Sequence, residues 1–139
     1  MRNLKIVWAV ALTAGLVGCQ SPMSDMMNNN FVGITPEPVT DELVGTWTGS
    51  MGPYLVSLQW QPDGYGHFCY SYGTADVLQK IKFSGGEIFI QDGTRLKIKE
   101  YTKQLMTVHA PYFAGKDSML YTDSDFQNAS AFCAEALNT

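Results

Sequence analysis

Basic residues are scarce in this chain of 139: nine Lys and Arg stand against 13 Asp and Glu, a formal net charge of -4. That balance argues against nucleic acid as a partner, because holding phosphates needs a surplus of Lys and Arg. Charged residues of both signs make up only 16% of the chain, and it has two His and three Cys. No glycine loop for a nucleotide, no zinc-ligand spacing and no nucleophile elbow is present. Long apolar runs are missing as well. The longest, 6–17, is shorter than the roughly 18–20 residues of a membrane-spanning helix. What is present is a globular composition, 45% hydrophobic and 12% aromatic, on a length that supports one domain.

The first 18 residues carry a basic head, Arg2 and Lys5, ahead of the apolar run, and read as a signal peptide. The run ends in Leu16-Val17-Gly18-Cys19, which resembles the lipobox of bacterial lipoproteins. In that family the cysteine thiol takes a diacylglycerol, the leader is cut before it, and the new amine is acylated. The resemblance therefore implies a lipidated Cys19; an ordinary signal peptide with an incidental cysteine is the alternative. Gln20 and Ser21 follow, with no Asp to retain the protein in the inner membrane, so the family's sorting pattern implies the outer membrane. Loss of Arg2 and Lys5 leaves seven basic residues against 13 acidic, or -6, so lipid rather than charge must do the holding.

Residues 19–40 read as the lipidated cysteine and a flexible tether. Ser, Pro, Asn and Thr dominate, Asn28-Asn29-Asn30 is low-complexity, and Thr35-Pro36-Glu37-Pro38 favours extended backbone. Met23, Met26 and Met27 could form a soft copper tract, but methionines tolerated in a disordered segment are the plainer reading.

From residue 41 to 139 the pattern is mainly β. Strands are expected at 45–50, 54–60, 65–72, 77–83, 87–91, 104–110 and 118–121, with one more around Leu96 and Ile98. Pro62-Asp63-Gly64 and Asp92-Gly93 are strong turn signals. Recurrence about every 8–12 residues without intervening helix predicts a small antiparallel meander of about seven or eight strands, closed into a barrel or packed as a sandwich. Ile81, Phe83, Ile88, Ile90, Leu96 and Ile98 should face the core, with Lys80, Lys82, Arg95, Lys97 and Lys99 in solvent. Leu105 and Met106 compete for the inward face of their strand. Asp123-Ser124-Asp125 offers caps for one C-terminal helix, along which Phe126, Ala129, Cys133 and Leu137 fall at helical spacing. With Cys19 committed to lipid, Cys69 and Cys133 are an even pair in an oxidising compartment, expected as a disulfide, with two buried thiols as the alternative.

Leu43-Val44-Gly45-Thr46-Trp47 resembles the Gly-x-Trp opening of lipocalin and calycin barrels, in which the tryptophan plugs one end of an antiparallel meander. The resemblance implies a calycin-like barrel. The family's late arginine has no counterpart, because Arg95 is the only arginine beyond the leader and lies mid-domain. The domain is also short, and small barrels usually fill their interiors with side chains.

The candidate sites each have a plain and a sharp reading. His67 and Cys69 share a strand face and His109 lies on another strand, but further ligands are missing, so no metal is expected. Ser, His and Asp occur without a loop to assemble them, so no catalytic residues and no cofactor are assigned. Tyr65, His67, Tyr70 and Tyr72, within the glycine-framed stretch 65–73, are either core aromatics or an outward contact surface. Lys80, Lys82, Arg95, Lys97 and Lys99 are either a solvated face or a patch for an anionic partner. These readings together predict a non-enzymatic, lipid-anchored binding or interaction module, on the periplasmic face of the outer membrane or exposed at the surface. Its partners would be the membrane, through the anchor, and an envelope or host protein. The alternatives are a carrier of a small apolar ligand in a lipocalin-like cup, an inhibitor of a host hydrolase such as lysozyme, and a structural envelope protein. An open cavity of a few hundred Å³ would favour the carrier.

Overall fold

Eight strands, each paired antiparallel with the next and the last with the first, close into a barrel in strict sequence order. The computed structural model describes residues 21–112 and 115–138; the leader and Cys19 lie outside them. In order the elements are α1 (Pro22–Met27), a 3-10 turn (Phe31–Gly33), β1 (Gly45–Met51), β2 (Tyr54–Trp60), β3 (Tyr65–Tyr72), β4 (Ala75–Ser84), β5 (Glu87–Ile90), β6 (Arg95–Tyr101), β7 (Leu105–Ala110), β8 (Lys116–Thr122) and α2 (Ala131–Leu137). Among the described residues no helix is long and apolar enough to cross a membrane.

Period-two alternation sets the inside and the outside. Val56, Leu58, Trp60, Ile81, Ile88, Ile90, Leu96, Ile98, Val108 and Leu120 are buried within the ring, as alternation demands of a half-buried sheet. In β7 the inward residue is Met106, which is fully buried, and Leu105 sits on the other face. The turns form where the sequence signals them. Asp92 Oδ1 accepts the amide of Thr94 at 2.9 Å and its hydroxyl at 2.7 Å, fixing the β5–β6 hairpin. The β1–β8 seam is tight at Gly49, where a Cβ would stand 2.2 Å from the Met119 carbonyl oxygen, so only glycine lets the two backbones approach.

One end is closed. Trp47 is fully buried, and its indole N–H donates to the Leu43 carbonyl at 2.9 Å. Trp60 and Phe83 meet edge-on at 5.9 Å between centroids, and Leu43 and Val39 complete the plug.

The segment expected to be a tether instead lies along the barrel. Glu37 N–H donates to the Phe83 carbonyl at 2.8 Å, and Val39 N–H to that of Pro62 at 3.2 Å. Lys82, expected in solvent, is buried under this strap. Its ammonium donates to the carbonyls of Phe31 at 2.8 Å and Ile34 at 2.9 Å and lies 4.5 Å from the Phe31 ring centre. A buried cation must find partners, and backbone carbonyls supply them without any sequence signature. Lys82→Met is expected to cost about 1–3 kcal/mol through the lost charged hydrogen bonds. The check is limited proteolysis, with cleavage within residues 28–38 rising while the barrel core resists.

The C-terminal helix is shorter than its spacing predicts. Phe126 has φ +55°, in the left-handed region that breaks a helix. Asp123 accepts the amides of Gln127 at 2.8 Å and Asn128 at 3.1 Å in the loop instead of capping α2. Ser130 is the cap, its Oγ accepting Cys133 N–H at 3.1 Å. A Cys69–Cys133 disulfide holds α2 to the outer face of β3, over a small cluster with Leu137, Phe126 and Ala129.

Candidate functional site

Among the described residues, the opposite end of the barrel is open. There the inward side chains shorten or spread, leaving a cup of about 280 Å³ lined by Met51, Tyr54, Phe68, Tyr70, Gln79, Ile90, Leu96, Ala110 and Ser118 among others, with Asp92 and Lys116 also on its wall. One wall is an aromatic stair. Phe68 meets Tyr70 at 5.9 Å between centroids, Tyr70 meets Tyr54 at 5.3 Å, and Tyr54 meets Tyr72 at 5.3 Å, near the rim. Burial pushes the Tyr70 phenol above its ordinary pKa, with Asp92 and Tyr54 adding to the shift. It therefore stays a neutral donor beside an otherwise apolar wall.

A second hollow of about 420 Å³ shares Tyr54, Phe68 and Tyr70 with the cup and extends to Pro22 and Met26 of α1. This helix seats on the β5–β6 turn, where a Cβ on Gly93 would come 2.8 Å from Met26 Cα. Asp25 latches it. The Asp25 carboxylate accepts the Tyr112 hydroxyl, and Arg95 Nη2 donates to it at 3.2 Å. The Arg95 amide donates to the Tyr112 hydroxyl oxygen at 2.8 Å. Burial works against the Arg95 charge, but Asp25 outweighs it and the guanidinium pKa is raised.

Burial and the bond to Asp25 push the Tyr112 phenol up to about 12. A raised folded-state pKa means the folded protein holds this proton more tightly, so the latch's contribution is complete below the ordinary tyrosine value near pH 10 and fades toward pH 12. In an ultraviolet titration Tyr112 is expected to ionise about two pH units above ordinary tyrosines, and Asp25→Ala to bring it down.

The residues singled out in the sequence separate here. Strand alternation splits stretch 65–73: Tyr70 lines the cup and Tyr72 joins its aromatic stair. Tyr65 and His67 line a different hollow, of about 250 Å³, with Lys80, Lys82 and the strap's Phe31. The expected basic stripe is divided among partners. Lys82 clamps the strap, Arg95 holds α1, and Lys99 Nζ pairs with Asp117 at 2.8 Å. Lys97 stands between Glu87 and His109 in the cross-strand register, and His109 stands opposite Asp117, bonded to it through Nδ1 at 2.7 Å. Bonds from Lys99 and His109 lower the Asp117 pKa. This row mixes acidic and basic groups rather than presenting one charge. Among the described residues no group of three or more His, Cys, Asp and Glu is placed to hold a metal ion. The sequence reading missed Phe68, Gln79 and Lys116 as cup residues, and Asp25 and Tyr112 as the latch. Alternation through 66, 68, 70 and 72 was the one signal that could have found the aromatic wall.

Residues 28–137 match the family described as the bacterial lipocalin LPS transport optimiser YedD. The chain belongs to the YedD family. The closed eight-stranded meander and the buried Gly45-Thr46-Trp47 tryptophan agree with a lipocalin, as the short Gly-x-Trp resemblance implied. The matched span takes in the strap, the whole barrel and α2, and it is to a lipocalin family rather than an enzyme family. No curated protein and no solved structure matches the chain.

Proposed function

We propose that this YedD-family protein is a lipid-anchored lipocalin of the outer membrane's periplasmic face that takes the apolar part of a small amphiphile into its cup and so supports LPS transport. The open, apolar-walled cup carries the reading. Its volume of about 280 Å³ falls just below the usual range of ligand sites, roughly 300–1,000 Å³. That space suits one acyl chain, not the several chains of a whole LPS molecule. Tyr70, Gln79 and Ser118 offer hydrogen bonds inside, and Lys116 and Asp92 offer charge, a layout that suits a polar or charged head above an apolar tail. The family description supplies the link to LPS transport, and the lipobox-like Leu16-Val17-Gly18-Cys19 supplies the anchor.

The test is binding of cis-parinaric acid, whose fluorescence rises in an apolar site, to the purified protein. Saturable binding is expected. Ala110→Trp, which places an indole in the cup, should weaken it at least tenfold while the β-sheet circular dichroism is unchanged. Unaltered binding by Ala110→Trp, or none by the unmodified protein, would overturn the carrier reading. Cells lacking the protein should show less surface LPS, restored by the native chain and not by Ala110→Trp.

A further inference from the structure

We infer that the barrel sits mouth-down, with its open end against the lipid surface of the periplasmic leaflet. This rests on the anchoring of Cys19 proposed above, and three independent observations set the direction.

The first is reach. α1 begins at Pro22 and is held at the open end through Asp25, Tyr112 and Arg95. Pro22 is three residue steps on from Cys19, with Gln20 and Ser21 between them, and an extended chain spans at most about 3.6 Å per residue, so the acylated residue stays within roughly 11 Å of the start of α1. The closed end is one strand length away, roughly 20 Å for strands of this size, beyond that reach. The latch thus converts what looked like a long tether into a short one.

The second is charge. Turns 51–54 and 72–75, at the open end, hold no charged residue. The other charges at this end are Asp76, bonded to the Ser71 hydroxyl, Asp92 in its own turn, Lys116, and Asp25 paired with Arg95. The closed end carries Asp41, Glu42, Asp63, Lys103, Asp123 and Asp125. An anionic bilayer repels that acidic end and tolerates the other.

The third is exposed apolar surface. Met23 and Met27 of α1 are 67% and 81% exposed, and Tyr54 and Tyr72 of the cup wall are 42% and 53% exposed, whereas the other exposed apolar residues, such as Val32, Leu78, Met119 and Phe132, are dispersed over the strap, β4, β8 and α2. Tyrosine with its ring in apolar surroundings and its hydroxyl in water suits the headgroup level of a bilayer, and methionine fits an irregular apolar boundary. In this orientation the cup opens into the leaflet itself. Its ligand is then a lipid of that leaflet, which passes in and out without crossing water.

The test uses the full chain, matured from its own leader, purified and reconstituted in phosphatidylethanolamine–phosphatidylglycerol vesicles. Mass spectrometry of the amino-terminal peptide reports acylation; a bare Cys19 would remove the anchoring reading, and the orientation with it. With acylation present, an environment-sensitive fluorophore is placed at Thr74→Cys near the open end or Lys103→Cys at the closed end. Nitroxide lipids labelled at the headgroup should quench the Thr74→Cys probe at least threefold more than the Lys103→Cys probe, and aqueous iodide should show the reverse order. Equal quenching at both ends, stronger lipid quenching at position 103, or iodide access at position 74 matching that at position 103 would overturn the orientation. Asp25→Ala, which undoes the latch without touching the barrel core, should shrink the difference between the two probes.

Discussion

Trp47→Ala should remove about 3–5 kcal/mol of folding stability, the usual loss for deleting a buried aromatic side chain. Three features place it at the top of that range. The indole is fully buried within the main core cluster. Its N–H bond to the Leu43 carbonyl ties the turn before β1 to the first strand, so truncation leaves that carbonyl without its partner. The void would open at the closed end, where Trp60 and Phe83 already pack edge-on and have little freedom to collapse inward. Against a typical stability of about 5–15 kcal/mol, such a loss leaves a marginal protein. Urea denaturation should show a lower midpoint with an unchanged slope. A loss below about 1 kcal/mol would mean that Trp47 does not carry the closed end, whereas Trp47→Phe should fall between the two forms.

Removing the disulfide with Cys69→Ser and Cys133→Ser together should cost roughly 2–4 kcal/mol. The two cysteines are 64 apart in sequence, and closing a loop of that size in the unfolded chain is worth about 4 kcal/mol on the entropic account, which overstates many measured cases. The structural consequence should be local. α2 has seven residues and buries only Cys133 and Leu137, too little to hold it without the bond. Hydrogen exchange across residues 131–137 should rise toward the unstructured rate, while amides of β2 and β3 remain protected. Loss of protection throughout the barrel would instead make α2 part of the fold's foundation. Reductant should reproduce the effect in the native chain and leave the double variant unmoved.

Much of the fold was legible because it depends on near-neighbour chemistry. Asp92-Gly93 and Pro62-Asp63-Gly64 made turns through their own side chains and backbone freedom, and β2 and β3 began and ended where their alternation did. The cysteine count foretold the staple. What failed to show depends on partners distant in sequence. Lys82 looked like one lysine in an exposed stripe, since nothing nearby shows that the Phe31 and Ile34 carbonyls would surround it. Asp25 sat in a polar, methionine-rich stretch, and its partners Tyr112 and Arg95 are far along the chain. Asp123 had the composition of a helix cap, but the left-handed turn at Phe126 delayed the helix to Ala131. The cup was hidden for a related reason. Tyr70 and Tyr72 were visible as aromatics, yet which face each took depended on register, and one residue of slip exchanges the two faces.

Strict sequence order around the ring has a kinetic consequence. Seven of the eight pairings join strands adjacent in the chain, and only β1 with β8 joins its two ends. Hairpins can therefore zip locally, while ring closure waits for the last strand and meets the largest loop-entropy cost. Until then β1 and β8 are raw edges able to pair with another chain, and the glycine at position 49 must dock flush against Met119 for the ring to shut. The slow step of folding, and the moment of greatest exposure to aggregation, should both belong to this one seam.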